Sequence, residues 1–267
     1  MKIRYFKLWL SLEHANLKAR TTYLFNFVVG IVSVSILGLS TVFITWIITR
    51  QIPVIGGWNF YQMLFIYSMW RVSHALFNIF GNHISSIDYF LREGQLDRLL
   101  VRPLPVLFSF FTLRINIGGI GDLLAGLTGL YYAYSHIFEW HVATVFLILF
   151  LSINGAVIEW SLFTMIASLA FWTLQSNGLR SIMETFLYTF TRFPQNIYSI
   201  KIQLIMTFIF PIGFMSFYPS QALFGNTEST PFFQALAYLS PLVAILMATL
   251  TVWIWNQGMK VYKGAGS

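Results

Sequence analysis

Three ionisable residues lie where charge is costly. Arg71, Asp122 and Glu159 each fall inside a long apolar run. A charge at bilayer depth must face the protein interior, water or a partner. Two chemistries suit these residues. Asp122 and Glu159 would form a proton relay or a polar path for a substrate; alternatively, Arg71 pairs with one of the acids inside a helix bundle. The ion pair is the simpler reading, because nothing in the sequence fixes how far apart the carboxylates stand. His74 and His83 have only Asp88 as a nearby acid, which is too sparse a set for zinc. No Gly-x-Ser-x-Gly elbow presents a serine nucleophile. The chain has no cysteine, so disulfides and thiolate metal sites are excluded. The glycines of "NIGGIGDLLAGLTGL", from Asn116, superficially resemble a nucleotide loop, but no strand precedes them. Close helix packing through small residues accounts for them better.

Elements that hold such residues must themselves lie in a membrane. Of 267 residues, 57% are hydrophobic and 9% charged, against roughly a quarter charged in soluble domains. The pattern predicts an all-α membrane protein with six spans: Tyr23–Thr49, Phe60–Ile84, Leu107–Tyr132, Val142–Leu174, Ser199–Tyr218 and Pro241–Met259. Runs this long without strict alternation are not barrel strands. The net charge of +7 is no nucleic-acid footprint, since the cations sit at the ends of apolar runs. Lys2, Arg4, Lys7, Lys18, Arg20, Arg92, Arg98, Arg102, Arg180, Arg192, Lys201, Lys260 and Lys263 fall in alternate loops, with only Arg50 against the pattern. By the positive-inside rule both termini are cytoplasmic, and so are the segments around 88–103 and 175–198. Arg114, near the cytoplasmic end of the third span, snorkels to the interface.

Around this core, residues 1–22 read as a basic amphipathic helix lying in the interface, with no removable signal peptide. The six-span core covers 23–262, with a short tail at 263–267. A proline-interrupted apolar loop at about 215–240 suits either short re-entrant helices on the outer side or an ordinary extracellular loop packed on the helix ends. Trp46, Trp58, Trp140, Trp172, Trp253 and Trp255 fall near span ends, as an interfacial belt does.

The segment "EGQLDRLLVRPLP", Glu93–Pro105, is charge-dense and closed by two prolines between apolar runs. Leu91, Leu96, Leu99 and Leu100 recur near helical spacing, with Arg92, Glu93, Asp97 and Arg98 on the other sides. Arg102 and Pro103 end it, because proline cannot extend a helix and restricts the residue before it. The result is a short helix at the cytoplasmic membrane edge. Its polar face is either simply solvated or docks a soluble partner.

"FLREGQLDRLLVRPLP" resembles the cytoplasmic signature of type-2 ATP-binding-cassette exporter permeases. Glu93, Gly94, Leu96, Asp97, Leu99, Leu100 and Pro103 match it; Gln95 stands where the family more often has threonine. The interfacial N-terminus, the six spans and the proline-rich loop extend the likeness, and "FYPSQALFG" resembles the loop before the last span in a bacterial branch of that family. The resemblance implies a half-transporter in the bacterial plasma membrane, paired with an identical or related permease. Cytosolic ATPase subunits, which bind ATP and magnesium, would dock on a coupling helix at about 88–103. Leu96, Leu99 and Leu100 would hold that helix to the membrane domain, while Glu93, Asp97 and Arg98 face the ATPase; Arg192 and Pro194 would supply a second contact. The chain has no Gly-x-x-x-x-Gly-Lys-[Ser/Thr] loop, so the resemblance implies no cofactor bound here and no ATP hydrolysis by this chain alone. The rival reading is an ion-coupled secondary transporter working through Asp122 and Glu159, although no internal repeat supports it.

Overall fold

The structure is a computed structural model that describes residues 24–102, 104–111, 113, 116, 118–224, 235–236 and 238–262. The expected interfacial helix at 1–22, the tail at 263–267, Pro103 and Arg114 lie outside the described residues, as does the loop stretch 225–234. In chain order the helices are α1 (Leu24–Gln51), α2 (Phe60–Phe80), α3 (Ile87–Arg92), α4 (Leu96–Leu100), α5 (Val106–Phe111), α6 (Gly118–Ile137), α7 (Val142–Ser168), α8 (Ala170–Thr173), α9 (Asn177–Phe190), α10 (Ile200–Leu204), α11 (Phe217–Phe224) and α12 (Ser240–Val261). Among the described residues, three helical stretches are long and apolar enough to cross a bilayer: 28–51, 142–173 and 240–261. Between α1 and α2 a minimal hairpin pairs β1 (Val54–Ile55) with β2 (Trp58–Asn59). Its turn needs glycine twice, since Gly56 and Gly57 both have positive φ, +58° and +81°. Asn59 then starts α2 with a capping box, accepting from the Gln62 amide while the Gln62 side chain accepts from the Asn59 amide.

The central element is α2, whose residues 63–75 are all buried. It packs against α6 on one side and α7 on another. The glycine-rich run of α6 permits the first contact. A Cβ on Gly126 would lie 2.8 Å from Val72 Cγ2 and 2.9 Å from Val72 N; one on Gly119 would lie 2.6 Å from Ile79 Cγ1. Gly121, on a different side of α6, lets α1 approach, because a Cβ there would stand 2.9 Å from Ile31 O. Small residues acting as helix-packing surface are what the sequence of this run predicts.

Six chain passes join two ends of the bundle, and the fifth is not the expected one. The hairpin marks one end; residues 87–102 mark the other, about 30 Å away along the 21 residues of α2. Ser176, at the start of α9, is bonded to Asp88 at the second end. After α9, the Asn196 side chain donates to Gly56 O at 2.6 Å, back at the hairpin end. Thus α9, not Ser199–Tyr218, makes the fifth crossing. Residues 200–224 instead fold back from the hairpin end as a re-entrant unit. A π-helical turn at Ile205–Ile209 leads to Pro211, a 3₁₀ turn at Ile212–Met215, and α11. Met215 reaches the middle of α7, where Gly155 makes room: a Cβ there would lie 2.8 Å from Met215 O. Irregular backbone at this depth is shielded by protein, with Ser240 of α12 donating to Phe214 O at 2.8 Å. The third span also departs from expectation, since α5 is a separate short helix and the crossing begins at Gly118. Of the six belt tryptophans, Trp58 and Trp255 are instead core residues, 0% and 2% exposed.

Candidate functional site

Two regions collect the chemistry-bearing side chains. The first is the 87–102 segment. Gly94 takes φ +62°, a left-handed turn that separates α3 from α4. Ile87, Leu91, Leu96 and Leu99 are buried with Phe110, Phe171 and Trp255, so both short helices are pinned to the bundle through apolar contacts. Leu100, expected to help anchor α4, is instead 46% exposed, and Val101 beside it is 84% exposed. The solvent face therefore combines two apolar side chains with the exposed Arg92, Glu93, Arg98 and Arg102. Asp97 is half-buried and does not simply face outward. Its Oδ1 accepts from the Tyr262 hydroxyl at 3.0 Å, tying α4 to the end of α12. Burial, then the bond to and charge of Asp97, push the Tyr262 phenol up to about 12.

The opposite face of this segment carries Asp88, 2% exposed. Its Oδ2 accepts from the amides of Ser176 (2.7 Å) and Asn177 (3.1 Å), and its Oδ1 accepts from the Ser176 hydroxyl (2.6 Å). A carboxylate here satisfies open amides at the start of α9 and complements the helix dipole. Arg192 and Pro194 lie next to Asn196, at the hairpin end. The length of the bundle separates them from Glu93, Asp97 and Arg98, so one soluble partner cannot touch both sets; the expected second coupling contact is corrected accordingly.

The second region is a polar belt across the middle of α2. Arg71 Nη2 stands 2.6 Å from Asp122 Oδ1 on α6, a charge contact rather than a well-aligned hydrogen bond. The same nitrogen points toward Val34 O on α1 at 3.4 Å, and Gly38 leaves room for it: a Cβ there would lie 2.8 Å away. Asn78 donates to Asp122 Oδ2 at 3.2 Å and accepts from Asn82 and Asn116. Glu159 does not join this pair. Its Oε1 lies 2.6 Å from His74 Nδ1, whose N–H donates to it, and the Tyr188 hydroxyl lies 3.0 Å from His74 Nε2. Trp70 stacks on the imidazole at 5.3 Å. Asp122 and Glu159 are thus brought to the same helix but engaged by different partners. Sequence reasoning missed Asn78 and Tyr188, and it weighed His74 only as a metal ligand, not as the partner of Glu159. The spacing Arg71, His74, Asn78 is i, i+3, i+7, a polar stripe along one face of an otherwise apolar helix, and was available as a signal. Among the described residues no cluster of three or more His, Asp or Glu could hold a metal.

A third feature lies on α9. Met183 and Leu187 are buried against the core, while Ser181, Ile182, Thr185 and Thr189 are exposed. Thr185 and Thr189 return their hydroxyls to their own helix at Ser181 O and Thr185 O, 2.9 and 2.7 Å. This crossing therefore shows a partly polar outer face. The outer face of α1 is more apolar, with Val32, Ile36, Leu37 and Phe43 exposed, although Ser33 and Ser40 are exposed there too and return their hydroxyls to Val29 O and Leu37 O.

No curated protein and no solved structure matches the chain. A family model for ABC-2 family transporter proteins matches residues 30–266, nearly the whole described bundle. This all-α membrane chain belongs to the ABC-2 family of transporter proteins, as a permease subunit of an ABC transporter.

Proposed function

We propose that the chain is the membrane half of an ATP-driven exporter in the bacterial plasma membrane, working by alternating access with a second permease, identical or related. The observation that carries this reading is the 87–102 segment. It is a pair of short helices clamped to the bundle by buried leucines, offering Leu100, Val101 and a fringe of charges to the aqueous phase. That surface suits a groove on a cytosolic ATPase subunit, which binds ATP and magnesium and supplies the energy. The charge pattern supports the orientation. With α9 as the fifth pass, Arg50, Arg192 and Lys201 fall on the hairpin side. Arg92, Arg98, Arg102, Arg180 and Lys260 fall on the other, the side the positive-inside rule makes cytosolic.

The substrate route is assigned to the partly polar outer face of α9. The outer side of α9 joins the half-exposed Arg180–Glu184 pair to Ser181, Thr185 and Thr189, and charges on a crossing helix are better placed against a second subunit or a wet path than against lipid tails. Asp122 and Glu159 act as structural partners in this reading, because Arg71 and His74 already engage them. The substrate need only interact differently with the two states of the path.

The decisive variant is Val101→Glu, since Val101 is 84% exposed and its replacement leaves the buried leucines untouched. The variant is expected to insert and fold like wild type, yet co-purify with less than a tenth of the ATPase and lose ATP-dependent transport. Wild-type amounts of bound ATPase together with full transport would refute the docking surface.

A further inference from the structure

The geometry points to Asp88 as the positioning residue through which movement of the 87–102 segment is passed to α9, the helix carrying the partly polar face. This inference rests on the reading of that segment as the ATPase-docking element. Four observations converge on it. Asp88 belongs to a rigid block, because its neighbour Ile87 is 0% exposed and Leu91, Leu96 and Leu99 are buried beneath Phe110, Phe171 and Trp255. Its carboxylate, 2% exposed, receives three hydrogen bonds, two from Ser176 and one from Asn177, where α9 starts 89 positions later in the chain. That helix has no side-chain cap of its own: Ser176 spends its hydroxyl on Asp88 rather than on the amides of α9. The covalent connection just upstream is a bend, not a rod. Leu174 takes φ +58°, a left-handed conformation that ends α8 and breaks helical continuity between α7 and α9. Force cannot run down one continuous helix into α9, and it enters instead at the Asp88 carboxylate.

Charge-assisted bonds to amides at a helix start are short and directional. When α3 shifts, the first turn of α9 follows. When the link is cut, α3 and α4 keep their apolar anchorage and their docking face but lose their grip on the fifth pass. The second polar tie, from Asp97 to Tyr262, connects the same block to α12, so removing Asp88 does not detach the segment from the bundle.

The test uses the full complex of this chain with the ATPase subunit that co-purifies with it, reconstituted in liposomes. The chain has no cysteine, so Ile182→Cys, 67% exposed on α9, carries a single bimane fluorophore. In wild type, ATP with vanadate is expected to shift the bimane emission. Asp88→Ala is expected to bind ATPase with unchanged affinity and still hydrolyse ATP, yet show no emission shift and at least tenfold less transport. Asp88→Asn, which keeps an acceptor for the amides, is expected to fall between. A purely structural role would instead lower thermal stability while leaving the ATP-driven shift and transport in place, and that result overturns the proposal. If Asp88→Ala does not fold, Ser176→Ala removes only the hydroxyl bond. A reduced shift then supports the joint and an undiminished one overturns it. Absence of ATPase on the wild-type chain defeats the docking reading and the joint with it. ATPase bound normally while the Asp88→Ala reporter still moves defeats the joint alone.

Discussion

Arg71 is buried in the middle of the bundle, and three elements are shaped around it: Gly38 of α1, Asp122 of α6 and its own helix α2. Removing one partner of such a pair leaves an uncompensated charge, at a cost of about 3–5 kcal/mol. The exposed end of the molecule offers a milder and more tractable case in Tyr262 and Asp97. The folded state holds the Tyr262 phenol protonated, its pKa raised from 10.0 to about 12 by burial first and by Asp97 second. A raised pKa on an acid that is neutral when protonated stabilises the fold fully below pH 10. That contribution is lost as pH climbs from 10 through about 12. Tyr262→Phe is expected to cost about 1 kcal/mol at pH 8, because the bond reaches a charged acceptor from a half-buried hydroxyl. The gap between wild type and variant should close between pH 10 and 12. Thermal unfolding of both proteins across that range is the measurement, and a gap independent of pH would contradict the bond. Residue identities in the polar belt were legible as costly charges inside apolar runs. Their partners were not, because a partner is chosen by helix rotation and crossing angle, which a single sequence leaves free.

At the scale of elements, the α2–α6 contact depends on glycines that place two backbones nearly in touch. A Cβ on Gly126 meets Val72 N at 2.9 Å, and backbone cannot swing aside as a side-chain tip can. Gly126→Ala is therefore expected to destabilise by about 1–3 kcal/mol, the range for forced overpacking. Gly30→Ala on α1, where nothing lies within 4 Å, should be neutral or stabilising by up to about 1 kcal/mol through helix propensity. Thermal denaturation of the two single variants in the same detergent checks the contrast, and equal behaviour would contradict the close approach. The glycine run announced this contact in the sequence, since small residues in an apolar helix have few other uses. The fifth crossing did not announce itself. α9 carries Arg180 and Glu184, paired at 3.4 Å one turn apart, and a polar outer stripe, so its hydropathy is lower than that of the segment after it. Hydropathy marks what touches lipid. It therefore selected 199–218, which re-enters the membrane and turns back at Pro211, and passed over a helix that crosses while presenting hydroxyls.

That exchange of one helix for another reverses the placement of a whole stretch of chain, and the consequence is visible only at the scale of the molecule. Hydropathy alone puts Arg192, Pro194 and Asn196 on the same side as Glu93 and Val101. The folded chain puts them at opposite ends, about 30 Å apart along α2. Because the chain has no cysteine, single cysteines at Val101 (84% exposed) and Ile197 (38% exposed) report the two ends without background. In intact cells, a membrane-impermeant maleimide is expected to label Ile197→Cys and spare Val101→Cys; in inverted membrane vesicles the labelling should exchange. Labelling of both positions from one side would restore Ser199–Tyr218 as the fifth pass and break the fold described here. Labelling on opposite sides but reversed, with Val101→Cys reached from outside, would leave the fold intact and remove the cytosolic face on which an ATPase must dock. The two outcomes separate the architecture from the function built on it, since the bundle fixes which residues share an end and the cations at each end decide which one meets the cytosol.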